Sequence, residues 1–153
     1  MISTKNKKDY KEVGAFCNIM QEIVLRSLEK PRQKVLSEDI EWVCESFGLC
    51  RGRDVESTST KIVATMLEKL ADNLRVSSEL IAHELDMTAS RVNHHLRNLM
   101  GTGFLYRDRR LILLRGGSLK GAVEELRKDS NRIFDQISDI AEEVDQKLGL
   151  ENR

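Results

Sequence analysis

The stretch TASRVNHHLRNLMGTGFL, residues 88–105, constrains the fold of this chain more than any other part of it. Its apolar residues Val92, Leu96 and Leu99 follow one another at spacings of four and three, so they share one face of an α-helix. Thr88 is a suitable N-cap for that helix, and the GTG segment after it is expected to end it. The stretch therefore predicts a short amphipathic helix that runs into a more extended segment.

The segments on either side of this helix predict further elements in a defined order. SSELIAHELDM predicts a helix of about two turns, capped by Ser77 or Ser78 and followed by a tight connection. TKIVATMLEKLADNL predicts a longer amphipathic helix before it. FLYRDRRLILL predicts a hairpin with strands at residues 104–107 and 110–114 and a turn at 108–109. Helix, short helix, tight turn, helix and hairpin is the order of a winged helix-turn-helix.

The run SSELIAHELDMTASRVNHHLRNLMGTGFLYRDRRLILL resembles the DNA-binding core of winged-helix regulators of the ArsR and MarR type. Such cores combine a helix opened by Ser or Thr, aliphatic residues at set spacing, a glycine followed by two apolar residues, and a basic hairpin. The matching positions are Thr88, Val92, Leu96, Leu99, Gly103, Phe104 and Leu105. The resemblance covers residues 58–117 and implies a winged helix that binds DNA, although a minority of such domains bind protein. Some relatives sense metal through paired cysteines in or near this domain, and this sequence lacks them there.

The face of the helix opposite the three aliphatic residues carries Ser90, His94 and Arg97. Arginine can pair with guanine, asparagine with adenine, and serine and histidine can donate or accept. A helix face that is only solvated normally carries Glu and Lys, and this helix has neither. We therefore predict DNA contacts from Thr88, Ser90, Arg91, Asn93, His94, Arg97 and Asn98.

The predicted hairpin is basic, with Arg107, Arg109 and Arg110 opposed by Asp108 alone. Arginines on such a wing can contact phosphates or enter the minor groove. An ordinary exposed hairpin, whose charges prevent edge-to-edge association, is the alternative. Because the wing follows the polar helix directly, we include its three arginines among the predicted DNA contacts.

The C-terminal segment, residues 118–153, predicts one long helix of roughly 45 Å. Its apolar residues alternate at spacings of four and three, with one polar break at Ser130, which is the heptad pattern of a coiled coil. We predict a homodimer, parallel or antiparallel, that buries Leu126, Ile133, Ile137, Ile140 and Val144. The alternative is that this helix folds back onto the N-terminal helices of its own chain.

The first fifty residues carry no motif by which we can assign them to a family. Residues 1–8 are expected to form a disordered basic tail, and residues 9–57 a helical region. One helix is predicted from residue 9 to Pro31 and a second in SEDIEWVCESFGL, with Ser37 as its cap. With a winged helix at residues 58–117 and a dimerisation helix at 118–153, the predicted fold is mainly α with a small β-hairpin.

Charge and cysteine content narrow the class of function. The net charge of the chain is zero, but seven arginines and four acidic residues give residues 75–117 a charge of +3, and residues 118–153 carry −3. Three cysteines without metal-ligand spacing predict reduced cytoplasmic thiols and no metal or cofactor. No catalytic motif or membrane span is present. The sequence thus predicts a non-enzymatic, DNA-binding transcriptional regulator that acts as a dimeric repressor. The alternative is a winged-helix adaptor that binds protein.

Overall fold

The computed structural model describes residues 21–50 and 56–150 of the 153-residue chain. Within these parts it contains five α-helices and one antiparallel two-stranded sheet. The elements are α1 (Leu36–Ser46), α2 (Thr58–Ala71), α3 (Ser78–Glu84), α4 (Ala89–Gly101), β1 (Leu105–Asp108), β2 (Leu111–Leu114) and α5 (Leu119–Leu148). The expected fold, mainly helical with a hairpin and a long C-terminal helix, is confirmed.

One apolar core holds these elements together. Its largest fully buried side chains come from α2, α3, α4, the hairpin and the start of α5, and include Ile62, Met66, Ile81, Leu96, Leu99, Phe104, Ile112 and Leu126. Each side chain of this size stabilises the fold by about 1.5–3 kcal/mol when fully buried. Helix α1 joins the same core through Ile40 and Cys44, and the ring centroid of Phe47 lies 6.3 Å from that of Phe104.

The hairpin is present, but both strands begin one residue later than predicted. Asp108 pairs with Leu111, so the turn consists of Arg109 and Arg110, not of residues 108 and 109. The predicted first strand residue, Phe104, lies just before β1, with its side chain fully buried. The observed register places alternate residues of β2 in the core, which fixes the pairing.

The helix predicted from residue 9 to Pro31 does not extend over residues 21–30, which adopt no regular secondary structure. The backbone N–H of Arg26 donates to the carbonyl of Ser46 at 2.8 Å. Val24 packs so closely that a Cβ on Gly48 would lie 2.9 Å from its Cγ1. These tertiary contacts override the helical periodicity of the segment. Residues 1–20, with the expected basic tail and the first part of the predicted helix, lie outside the described residues.

Three of the helices begin at a polar N-cap residue, a start that local sequence patterns can indicate. Ser77, Thr88 and Ser118 each accept a hydrogen bond from the backbone N–H three residues later, as expected for caps of α3, α4 and α5. The predicted helix in SEDIEWVCESFGL is present as α1, but the cap prediction was wrong, because the N-cap is Val35 and Ser37 lies within the first turn. Val35 makes no side-chain cap bond, and the apolar face of α1 buries Ile40 and Cys44.

Helix α5 has 30 residues, which corresponds to a length of about 45 Å. Its buried residues are Ala122, Leu126 and Asp129, all in its first half. From residue 134 onward every described residue of α5 is exposed. The helix therefore joins the core through its first half, and its second half is exposed to solvent.

Candidate nucleic-acid interface

Helices α3 and α4 form a helix-turn-helix whose connection is fixed by the backbone. The N–H of Met87 donates to the carbonyl of Ala82 at 2.9 Å, and Asp86 takes a left-handed conformation with φ of 50°. The side chain of Thr88 then caps α4 by accepting from the N–H of Arg91 at 3.3 Å. This tight turn sets α4 at a defined angle to α3.

The buried and exposed faces of α4 are those that the sequence predicted. Val92, Leu96 and Leu99 are at most 1% exposed and lie in the core. The opposite face presents Ser90, His94 and Arg97 to solvent. No described segment covers them, so this face is open to solvent. Of the ten residues predicted to contact DNA, only Asn93 is half-buried, and the others are exposed.

A hydrogen bond joins the wing to α4. Nη2 of Arg107 on β1 donates to Oδ1 of Asn93 at 2.8 Å. The two predicted contact residues therefore form one unit, in which the asparagine holds the arginine of the hairpin beside the exposed face of α4. Sequence spacing alone could not show this pairing, because the partners are 14 residues apart and lie on different elements.

Arg91 is held by a carboxylate from outside α4, which the local sequence pattern does not reveal. Its Nη2 lies 2.7 Å from Oε2 of Glu56 and 3.4 Å from the hydroxyl oxygen of Thr58, at the N-terminal end of α2. Both side chains of the ion pair are substantially exposed. Helix α4 itself has no acidic residue, but Glu56 brings a negative charge to its N-terminal end.

His95 lies outside the exposed face of α4. It is half-buried, and its Nδ1 lies 3.2 Å from the hydroxyl oxygen of Ser59 on α2. Its ring meets that of the exposed His94 edge to face, with centroids 5.6 Å apart. His95 therefore fastens α4 to α2, and His94 is left on the outer surface.

The tip of the wing carries two exposed arginines, Arg109 and Arg110. Arg109 has a φ of 56°, a left-handed conformation that a two-residue hairpin turn requires. The backbone N–H of Glu79 and the hydroxyl of Ser77 donate hydrogen bonds to the Glu79 carboxylate, and these bonds hold its pKa below the usual value. The positive charge of Arg110 acts in the same direction. The wing is thus basic at its tip and lies near one carboxylate at the start of α3.

Asp129 anchors α5 to the winged helix. Its carboxylate receives a forked pair of hydrogen bonds from the guanidinium of Arg115, the residue that follows β2, and one from Gln21. Burial alone would raise the pKa of Asp129, but these hydrogen bonds and the charges of Arg115 and Arg132 lower it below its usual value. No pattern in the sequence pointed to this cluster, because its members come from three distant segments.

The predicted dimerisation residues fall into two groups. Leu126 is 1% exposed and packs in the core of its own chain, so it belongs to the fold of the protomer. Ile137, Ile140 and Val144 are 58%, 59% and 46% exposed, and Ile133 is half-buried. We call these four residues the apolar stripe of α5. The described N-terminal residues do not cover its exposed members.

The described cysteines behave as structural thiols. Cys44 is fully buried, and burial is the main cause that raises its pKa to about 12. Cys50 is half-buried, with its sulfur 3.0 Å from the hydroxyl oxygen of Thr60. Cys17 lies outside the described residues. Within the described part of the chain, no cluster of three or more His, Cys, Asp or Glu side chains could hold a metal ion.

The fold and the exposed polar helix define a winged helix-turn-helix of the DNA-binding kind. Residues 61–107 match the family model described as "Bacterial regulatory protein, arsR family", so the central part of the chain is similar to the helix-turn-helix domain of that family, which supports a DNA-binding transcriptional regulator. The matched family is regulatory and not enzymatic. Neither the curated proteins nor the solved structures contain a significant match to this chain. Across residues 21–50 and 56–150, no helix is long and apolar enough to cross a bilayer.

Proposed function

We propose that the protein is a cytoplasmic, sequence-specific transcriptional repressor that binds double-stranded DNA as a homodimer. The observation that carries the proposal is the division of α4 into two faces. Three aliphatic residues fix its inner face, and Ser90, His94 and Arg97 are exposed on the outer one. These side chains have the donors and acceptors that distinguish bases in the major groove.

In the proposed complex α4 lies in the major groove. Its outer face and its flanking residues Thr88, Arg91, Asn93 and Asn98 supply contacts to bases and nearby phosphates. The wing supplies Arg107, Arg109 and Arg110 to the backbone or the minor groove. The hydrogen bond between Asn93 and Arg107 supports a combined surface, because it holds the wing beside α4 before DNA arrives.

The apolar stripe of α5 supports the dimer. Three large aliphatic side chains in a heptad pattern are about half exposed on a helix that extends from the core, and a second copy of the same helix would bury them. Two winged helices joined in this way could read two half-sites about 34 Å apart. Repression would follow if the bound dimer blocks access of the transcription machinery to the promoter.

A protein-binding adaptor is the second candidate. It is favoured by the ion pair that Arg91 makes with Glu56, since this pair reduces the cationic surface available to phosphates. Binding to DNA through several arginines should weaken steeply as salt is raised. An adaptor that docks on protein through an apolar surface should show little dependence on salt.

The test is to incubate the full chain with fragmented DNA of the source organism and to sequence the fragments that it retains. The proposal predicts one enriched motif made of two half-sites, bound with a strong salt dependence. Retention without any enriched sequence would contradict sequence-specific regulation, and an affinity that does not change with salt would favour the adaptor.

A further inference from the structure

The side chain of Asp129 lies at the centre of a polar cluster where α5 leaves the winged helix, and it is 11% exposed. Its Oδ2 accepts from Nη1 of Arg115 and from Nε2 of Gln21, the latter at 2.8 Å, and its Oδ1 accepts from Nη2 of Arg115 at 3.1 Å. A forked pair between a guanidinium and a carboxylate is directional as well as strong. It therefore restricts orientation in a way that apolar contacts do not.

The same two donors also reach the end of α4. Nη1 of Arg115 donates to the carbonyl of Gly103 at 3.4 Å, and Nε2 of Gln21 donates to the carbonyl of Thr102 at 3.1 Å. Arg115 and Gln21 are thus shared between α5 and the C-terminal end of α4. Through them, Asp129 is connected to the helix that carries the candidate DNA contacts.

Gly103 provides the space for this cluster. Its φ is +85°, and a Cβ at this position would lie 2.5 Å from Nε2 of Gln21 and 3.1 Å from Nη1 of Arg115. Any side chain here would displace both donors. The close approach shows that the cluster is packed directly against the backbone at the end of α4.

A second contact holds the base of α5. A Cβ on Gly116 would lie 2.5 Å from the backbone carbonyl carbon of Gly121. The two glycines therefore allow the backbone after β2 to contact the first turn of α5 directly. Asp129 lies eight residues beyond Gly121, about 12 Å along the helix. Two attachment points at this separation fix the direction in which α5 extends, and Asp129 is the more distant of the two.

Small changes in that direction have large effects at the apolar stripe. From Asp129 to Leu148 the helix extends by about 28 Å, so a tilt of about 10° moves its end by about 5 Å. One base pair of DNA corresponds to about 3.4 Å along the axis. A loosely held α5 would let the two winged helices of a dimer shift by more than one base pair relative to each other.

We propose that Asp129 is a positioning residue that sets the spacing between the two DNA half-sites read by the dimer. It acts by fixing the angle between α5 and α4 through Arg115 and Gln21. The inference rests on the proposed function, because it requires a dimer joined through α5 that binds DNA through α4. It assigns a role in operator selection to a residue that touches neither DNA nor the partner.

The test uses the full chain and a set of DNA duplexes that carry two copies of the selected half-site, with the spacing changed by one base pair at a time. Wild type, Asp129→Ala and Arg115→Lys are compared with Arg132→Ala. Lysine keeps the charge of Arg115 but cannot make the forked pair. Arg132 approaches Asp129 and the side-chain oxygen of Gln21 at 3.5 Å each, so its removal leaves the paired Arg115–Asp129 hydrogen bonds and the bond from Gln21 Nε2 to Asp129 in place.

Wild type and Arg132→Ala should prefer one spacing. In Asp129→Ala and Arg115→Lys, the ratio of the affinity for the preferred spacing to that for the other spacings should fall about tenfold, as expected when a charged hydrogen bond is lost. Both variants should bind a single half-site as wild type does. An equally sharp spacing preference in both variants would overturn the role of Asp129 and leave the proposed function intact. A wild type that binds two half-sites no better than one would overturn the proposed dimer and the inference together.

Discussion

Nη2 of Arg107 donates to Oδ1 of Asn93 at 2.8 Å, which joins the first strand of the wing to the exposed side of α4. The charge of the arginine is kept in this contact, because its partner is a neutral amide. The bond therefore orients a cation toward the surface that α4 presents, and it does so without cancelling the charge.

Replacing Arg107 with alanine should weaken binding to all DNA sequences by a similar factor. A phosphate contact contributes electrostatic affinity that does not depend on the base sequence. The salt slope, which is the slope of log K against log salt concentration, should therefore fall in magnitude by about 1. Asn93→Ala is the matched variant, because it frees the wing but keeps every charge, and its salt slope should equal that of wild type. Fluorescence anisotropy at several salt concentrations measures both. Equal slopes for Arg107→Ala and wild type would show that Arg107 does not contact phosphate.

Removing the negative charge of Glu56 should strengthen DNA binding. Glu56→Gln releases Arg91 from its ion pair and takes a carboxylate away from the N-terminal end of α4. An exposed ion pair contributes about 0–1 kcal/mol, so the gain in affinity should be no more than about fivefold. Glu29→Gln is the control, because Glu29 forms an exposed ion pair with Arg32 far along the chain. A loss of affinity in Glu56→Gln would show instead that Glu56 positions Arg91 for its DNA contact.

Local patterns were sufficient to predict the elements of the winged helix. The spacing of Val92, Leu96 and Leu99 fixed the inner face of α4, and the short polar caps marked the starts of three helices. These features depend on neighbours within one or two helical turns. The family match over residues 61–107 falls on this same part of the chain.

Contacts between distant segments were not predictable in this way. The periodicity of residues 21–30 indicated a helix, but these residues adopt no regular secondary structure and place Val24 against Gly48. The Arg115–Asp129 pair and the Glu56–Arg91 pair join segments 14 and 35 residues apart. Exposed charged residues appear throughout this chain, so sequence alone does not select which two will meet.

Arg97→Ala should reduce affinity for the selected operator by about 1–3 kcal/mol if Arg97 contacts a base. The loss should be concentrated at one position of the site, so the variant should also discriminate less well among bases there. Arg127→Ala removes another exposed arginine, on α5, and is the matched control. Competition binding with operators mutated one base at a time gives the comparison. If both variants bind every operator alike, Arg97 does not read bases.

Asp129→Asn should destabilise the protein at neutral pH by about 1–3 kcal/mol, because the charged acceptor of the Arg115 fork is lost. The pKa of Asp129 is lowered in the folded state, so its stabilising contribution is present above the unfolded pKa of about 3.9 and is lost as pH falls through the folded value. The difference in unfolding free energy between wild type and variant should therefore shrink below about pH 4. Urea unfolding at neutral and acidic pH measures it. A difference that stays constant down to low pH would mean that the charge of Asp129 is not what stabilises the fold.

Ile137→Asp should convert the proposed dimer into a monomer. Ile137 is 58% exposed at the middle of the apolar stripe, so a carboxylate there costs the protomer little but would be buried without a partner in a dimer. Loss of one half-site contact should then lower operator affinity by at least about 100-fold. Ser138→Asp adds the same charge one residue along, outside the stripe, and should remain dimeric. Sedimentation velocity and operator titration distinguish the two variants, and an Ile137→Asp protein that sediments as a dimer would exclude the stripe as the interface.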